Sequence, residues 1–229
     1  MTLARDLLDL LVPPTCPGCG VRRSDGRFCF GCLAEVVRPC RPVCPTCGLP
    51  GKAAVLCSAC RAGRPFRRAR AYAVHHGPVA GWIARLKYRG EPSLARALGE
   101  LAAEAAAKHF APHTHDVVVP VPSSPARLRR RGYNQSVLLA DEVSVVLDAE
   151  VVCALRRRNA RAQVGLRRVE RRENVLGVFR VVVPIAGLTV LLVDDVLTTG
   201  ATAEACAEAL LGAGAAAVDV LTLARAPMG

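Results

Sequence analysis

Residues 190–202, VLLVDDVLTTGAT, decide the fold. Four aliphatics, Val190 to Val193, run into the adjacent carboxylates Asp194 and Asp195; Val196 and Leu197 follow, then a Thr/Gly bend and the alanine-rich stretch AEACAEALLGAGA. The apolar run is too short to span a membrane and too rich in β-branched residues to favour helix, so it reads as a buried strand. A strand that feeds a helix through a short loop is the unit from which parallel sheets with flanking helices are built. The loop, Thr198, Thr199, Gly200, Ala201 and Thr202, offers backbone amides, small side chains and hydroxyls at a helix N-terminus, where a phosphate group fits. Two carboxylates beside a phosphate seat are costly unless something uses them, and the vicinal hydroxyls of a ribose would. An ordinary βα turn, with threonine caps and solvated aspartates, accounts for either half of the string taken alone.

Working outward, 229 residues with 52% hydrophobic content can hold one typical domain and a small one. The N-terminal MTLARDLLDLLVPP has a brief apolar segment interrupted by Asp6 and Asp9 and does not read as a signal peptide. Leu3, Leu7, Leu10 and Leu11 stand at helical spacing, which predicts a short amphipathic helix over 1–13. With no stretch long enough for a membrane span, a cytoplasmic protein is expected. Net charge is +12, and of the 31 lysine and arginine residues only Lys52, Lys87 and Lys108 are lysines. Arginine forms bidentate bonds to phosphate oxygens, so the surplus suits phosphorylated ligands or nucleic acid. An arginine-favouring genome would produce it equally.

Eight cysteines form four CxxC pairs: Cys16 and Cys19, Cys29 and Cys32, Cys44 and Cys47, Cys57 and Cys60. CPGCGVRRSDGRFCFGC at 16–32 and CPTCGLPGKAAVLCSAC at 44–60 are two copies of one unit, each opening with CPxCG. Pro and Gly there permit a knuckle whose amides point at thiolate sulfur, and two knuckles supply the four thiolates of a structural zinc site. A disulfide framework or a redox motif fits the tandem array less well. Equal spacings favour consecutive pairing into two closed sites over an interleaved one. Two zinc tetrathiolates would lower the effective charge from +12 to roughly +8. Cys40, Cys153 and Cys206 fall outside the scheme, the last two in apolar surroundings.

Between the two signatures, Ala71 to His75 reads as a strand core behind a linker, with His75 and His76 more structural than catalytic. VAGWIARLKYRGEPSLARALGELAAEAAAKHFA reads as two helices broken near Gly90 and Pro92, with Trp82 a packing anchor and Lys87 complementing a helix C-terminus. Asp116 to Val121 is a second buried strand, followed by the basic loop PSSPARLRRRGYNQS and the helix VLLADEVSVVL.

The 190–202 string resembles the 5-phosphoribosyl-1-pyrophosphate (PRPP) signature of type I phosphoribosyltransferases. Taken with VPxxxxRxxxRGYNQSxLLA at 121–140 and QxxLxxxERRxN at 163–174, the chain is identified as a member of the ComF family over essentially its full length. That resemblance implies an α/β phosphoribosyltransferase-like domain over 66–229, a parallel sheet flanked by helices, behind an N-terminal cysteine-rich double zinc ribbon over 14–62. It implies that Asp194 and Asp195 hold the ribose hydroxyls, Thr198 to Thr202 the 5-phosphate, and Arg127 and Arg131 the pyrophosphate with Mg2+. The basic segment carrying Gln163, Arg171 and Asn174 would be a flap over the site. The implied function is phosphoribosyl transfer from PRPP, or another phosphoribosyl compound, to an acceptor the sequence does not name. A link to DNA uptake follows, with single-stranded DNA and other DNA-uptake proteins as partners. The alternative on the same scaffold is a non-catalytic module that senses a nucleotide or holds single-stranded DNA; with aromatics at 4%, such binding would be mainly electrostatic.

Overall fold

The computed structural model describes residues 14–23, 25–91, 93–157 and 178–227. The helix expected over 1–13 and the flap residues Gln163, Arg171 and Asn174 lie outside them.

The elements run in chain order as follows: helix α1 (Phe30–Ala34), strand β1 (Ala69–Val74), helices α2 (Gly77–Tyr88) and α3 (Ser93–His109), strand β2 (Val117–Pro120), helices α4 (Pro125–Arg131) and α5 (Gln135–Leu147), strands β3 (Glu150–Val151), β4 (Leu155–Arg157), β5 (Phe179–Val181) and β6 (Thr189–Leu197), helix α6 (Ala201–Gly212) and strand β7 (Ala217–Arg225). The central sheet has the order β1-β7-β6-β2-β3 and every pairing in it is parallel. β4 and β5 form a separate antiparallel pair.

The apolar run read in the sequence is β6, and its period of two divides the core. Leu191 and Val193 pack with Leu221 and Leu223 of β7 beneath α2, α3 and α5, whereas Val190 and Leu192 pack with Val218 and Val220 beneath α6. Val190, Leu191, Leu192 and Val193 are fully buried, each contributing about 1.5–3 kcal/mol relative to exposure. Helix boundaries follow local chemistry. Ser124 caps α4 by accepting from the Arg127 amide, Pro125 occupies its first turn, and Gly132 at φ 81° ends it. Two residues on, Asn134 caps α5 by accepting from the Ser136 amide.

Two readings shift. The first strand starts earlier than the Ala71 to His75 core, and the segment before it is docked: Phe66 is buried, and Arg64 and Arg67 pair with Glu204 and Asp219. Cys153 is exposed, not set in apolar surroundings, because it follows the short edge strand β3; Cys206 is buried on the core face of α6 as expected.

Each ribbon unit closes on itself. The eight cysteines form two tetrads, Cys16, Cys19, Cys29, Cys32 and Cys44, Cys47, Cys57, Cys60, with the sulfurs of each within 4.8 Å of one another. Pairing is therefore consecutive. The first ribbon packs on α2 and α3, where Phe28 stacks on Trp82 at 4.0 Å between ring centroids. The second covers the edge of β1, with the Ala69 amide donating to the Thr46 carbonyl at 2.6 Å.

Candidate functional site

β2 and β6 are neighbours, yet the chain leaves β2 for α5 on one face of the sheet and leaves β6 for α6 on the other. Their carboxyl ends open a crevice at this switch point, where open α/β sheets place their ligands. The cavity there measures about 330 Å³, at the lower end of small-molecule sites. Asp194, Asp195, Thr198 and Thr202 line it from β6, the loop after it and α6; Arg127, Arg131, Gln135 and Ser136 face them from α4 and α5, with Lys87 and Tyr88 from α2 and Arg157 from β4.

The two carboxylates have different surroundings. Asp195 is buried on the α2 and α5 side, where Lys87 Nζ donates to its Oδ1 at 2.6 Å and Gln135 Nε2 to its Oδ2 at 2.9 Å. Gln135 is held in turn, its Oε1 accepting from Arg131 Nη1 at 2.9 Å. Asp194 is half-buried. Its Oδ1 accepts from Ser136 Oγ at 3.0 Å and from the Asp195 amide at 2.9 Å, and Oδ2 has no hydrogen-bond partner among the described residues. Burial, and next the Asp195 charge, push the Asp194 carboxyl up to about 7. Each carboxylate oxygen can accept twice, so both acids keep capacity for hydroxyl donors.

The opposite end is the N-terminus of α6, where backbone amides can hold an anion. Gly200, at φ 96°, caps α6 without a side-chain bond, and Thr199 Oγ1 accepts from the Ala201 amide at 3.4 Å. The Thr202 and Ala203 amides have no acceptor among the described residues, as expected of a helix first turn. Thr198 and Thr202 reach the cavity lining; Thr199, Gly200 and Ala201 form the bend behind them. Glu204, in the first turn of α6, would repel an anion, but it pairs with Arg64.

Both arginines expected here, Arg127 and Arg131, line the cavity, one helical turn apart on α4, whereas Arg129 and Arg130 between them do not. The RGYNQS string also builds the wall itself. Tyr133 Oη donates to the Leu86 carbonyl, beside Lys87, and Asn134 Nδ2 donates to the Val121 carbonyl at 3.0 Å. Sequence reasoning missed Lys87, which it placed at a helix end; that it is one of three lysines in the chain was the available signal. It missed Arg157 and the Gln135–Asp195 bond as well. His75, at the end of β1, is held below its usual range by burial and then by Lys87.

The tetrads fit zinc. Cys16 and Cys32 sulfurs lie 3.7 Å apart, Cys19 and Cys29 3.6 Å, and Cys47 and Cys57 3.6 Å. Four sulfurs at about 2.3 Å from a tetrahedral zinc ion stand about 3.8 Å apart, and disulfide sulfurs about 2.05 Å. Amides complete each knuckle: Cys29 N–H donates to Cys16 Sγ at 3.2 Å, and Cys57 N–H to Cys44 Sγ at 3.5 Å. Burial opposes ionisation of Cys16 and Cys44, yet backbone amides outweigh it and bring both thiols down to about 6.

A further cleft of about 600 Å³ lies between the second ribbon, β1 and α3. It shares no lining residue with the acid-pair cavity and is basic, with Arg38, Arg41, Arg70 and Lys108 facing one carboxylate, Glu104.

Parallel sheet, switch-point cavity and paired tetrads define a double zinc ribbon joined to a phosphoribosyltransferase fold. The chain matches the double zinc ribbon domain over residues 7–61 and the phosphoribosyl transferase domain over residues 88–229. It belongs to the ComF family. The DNA utilization protein YhgH of Escherichia coli is 35% identical over 168 residues, covering 70% of this chain and 73% of that protein. Competence protein ComFC of Bacillus subtilis is 29% identical over 211 residues, covering 89% and 86%. Among solved structures, a glutamine PRPP amidotransferase from B. subtilis is 21% identical with a TM-score of 0.45, over 60% of this chain and 30% of that one. No helix among the described residues is long and apolar enough to cross a membrane.

Proposed function

We propose that the chain binds PRPP in the crevice between β2 and β6 and transfers its phosphoribosyl group to an acceptor. The observation that carries this reading is one 330 Å³ cavity holding the acid pair and the α6 bend, with Lys87, Arg127, Arg131 and Arg157 on the remaining walls. Asp194 accepts from a ribose hydroxyl through its open Oδ2, and Asp195 through the spare capacity of its paired oxygens. Thr198, Thr202 and the first-turn amides of α6 take the 5-phosphate. Arg127, Arg131 and Arg157 face the pyrophosphate, which arrives with Mg2+. The bond from C1 to the pyrophosphate oxygen breaks with its electron pair leaving on pyrophosphate. Positive charge then gathers on the sugar ring near the two carboxylates, and the lone pair of the acceptor closes on C1. Gln163, Arg171 and Asn174 are proposed to belong to a covering flap.

The test is pyrophosphate release from PRPP across a panel of nucleobases and amines with zinc-loaded protein. Turnover with one acceptor, lost in the double variant Asp194→Asn, Asp195→Asn without loss of folding, is expected. PRPP binding that is lost in that variant, with no turnover on any acceptor, would leave a sensing module in place of an enzyme.

The basic cleft favours a second, compatible role, electrostatic holding of single-stranded DNA, in line with the names of the DNA-utilization and competence relatives. Affinity for an oligothymidylate should fall steeply between 50 and 200 mM salt, by about 10-fold or more. Charge reversal at Arg41 and Lys108 should remove most of it; salt-independent affinity would discard this role.

A further inference from the structure

Two arginines join the second cysteine tetrad to the α6 bend. Arg225 closes β7 and is 3% exposed, with no carboxylate partner among the described residues. Its Nε donates to the Cys47 carbonyl at 3.3 Å, and its Nη1 to the carbonyls of Leu197 at 2.9 Å and Thr198 at 2.5 Å. Arg64 stands four residues beyond Cys60 with its side chain 7% exposed. Its Nη1 donates to the Thr199 carbonyl at 3.1 Å and lies 2.6 Å from where a Cβ on Gly200 would be. Both guanidinium groups also sit near thiols of the tetrad, Arg225 by Cys47 and Arg64 by Cys60. The first tetrad has no hydrogen bond to this bend among the described residues.

Two physical consequences follow. In a trans peptide the C=O and the next N–H point in opposite directions. Carbonyls of Thr198 and Thr199 held toward the ribbon therefore turn the Thr199 and Gly200 amides away from it. Arg64 has the Glu204 carboxylate beside it, but the buried Arg225 guanidinium is bonded only to carbonyls and needs negative charge nearby, since an uncompensated buried ion is costly. A metal-loaded tetrathiolate, with about two negative charges, supplies it.

We propose that the second cysteine tetrad is part of the sugar-phosphate site, with Arg225 and Arg64 as positioning residues that tie the metal centre to the phosphate bend. Metal retention at that tetrad and ligand binding at the bend are then linked, and linkage acts equally in both directions. The inference rests on the PRPP reading of the cavity.

The experiment follows N-ethylmaleimide alkylation of each cysteine by mass spectrometry in the full-length, zinc-loaded protein, with and without saturating PRPP and Mg2+. Ligand should slow modification of Cys44, Cys47, Cys57 and Cys60 by about 5-fold or more while Cys16, Cys19, Cys29 and Cys32 change by less than about 2-fold. Equal slowing of both tetrads would mean general stabilisation and overturn the proposal, as would slowing of neither in protein shown by calorimetry to bind PRPP. Absence of PRPP binding to zinc-loaded wild type would defeat the functional reading itself, a separately visible result. Arg225→Lys and Arg64→Lys keep the charge but lose the fork. Each should weaken PRPP binding by about 10-fold or more with two zinc equivalents retained, and unchanged affinity in both overturns the assignment. If Arg225→Lys does not fold, Arg64→Lys and the wild-type alkylation pattern decide alone.

Discussion

The two ribbons share spacing, knuckles and sulfur geometry, yet they serve opposite ends of one cavity by different physics. The first leans on α2, whose last turn presents Lys87 to Asp195. Its contact is the stack of Phe28 on Trp82, with Gly18 close to the same indole and the Pro17 carbonyl accepting from Arg85 at 2.8 Å. The second meets the α6 bend through buried guanidinium groups and backbone carbonyls. Apolar packing sets stability with little directional demand, whereas hydrogen bonds to carbonyls fix orientation. Identical metal units can thus be a foundation in one place and a template in the other.

The first contact can be broken outright. Trp82→Ala removes the indole between ribbon and helix and should cost about 3–5 kcal/mol in denaturant unfolding. PRPP affinity of the molecules that remain folded should stay within about 2-fold. A collapse of affinity at unchanged stability would show that the first ribbon also directs the site.

At the acid end, Lys87→Met strands Asp195 with Gln135 as its remaining side-chain partner. The Lys87 side chain is 20% exposed and that of Asp195 6%. The expected loss therefore lies between the ~3–5 kcal/mol of breaking a buried pair and the ~1 kcal/mol of an exposed one. Chemical denaturation at neutral pH measures it; a stability unchanged or raised would show that the pair contributes nothing net.

The α6 end, proposed to take the phosphate, is probed by Gly200→Ala. A left-handed φ costs a non-glycine residue about 1–2 kcal/mol, and the new Cβ would displace Arg64. Stability should fall by that small amount while PRPP affinity drops disproportionately, the reverse of the Trp82 pattern. Parallel loss of both would blur the contrast between the ribbons.

Why these contacts escaped the sequence is itself physical. The β6 run, the acid pair and the CxxC units are local patterns in which neighbours along the chain do the work, so spacing alone reveals them. Lys87 and Asp195 lie 108 positions apart, and Arg64 and Thr199 135 apart. The carboxylate near Lys87 in the chain, Glu91, pairs with Arg85 instead, and Arg225 closes an apolar strand where a basic residue looks like an ordinary strand end. The RGYNQS string was legible as a resemblance, but its work, capping α5 and holding Asp195 through Gln135, depends on strand order. Consecutive pairing of the tetrads was legible because the ligands of each unit are close in sequence.

Between the two ends stands Asp194, where pH offers the finest test. Its carboxyl is held up at about 7 in the folded chain, by burial first and by Asp195 second, against 3.8 for the free group. A group raised on folding binds its proton more tightly in the native state, so its stabilising effect is complete below about 4 and is lost as pH rises to about 7. Asp194→Asn cannot ionise. Relative to wild type, its melting temperature should therefore gain steadily as pH is raised from 4 to 7 and level off above that. Lys87→Met, by removing a cation that favours Asp194 ionisation, should carry the loss to still higher pH in a chain that keeps Asp194. A difference between Asp194→Asn and wild type that stays flat across this window would mean the acid is ionised throughout. The acid end would then be governed by Lys87 and solvent, with burial counting for little.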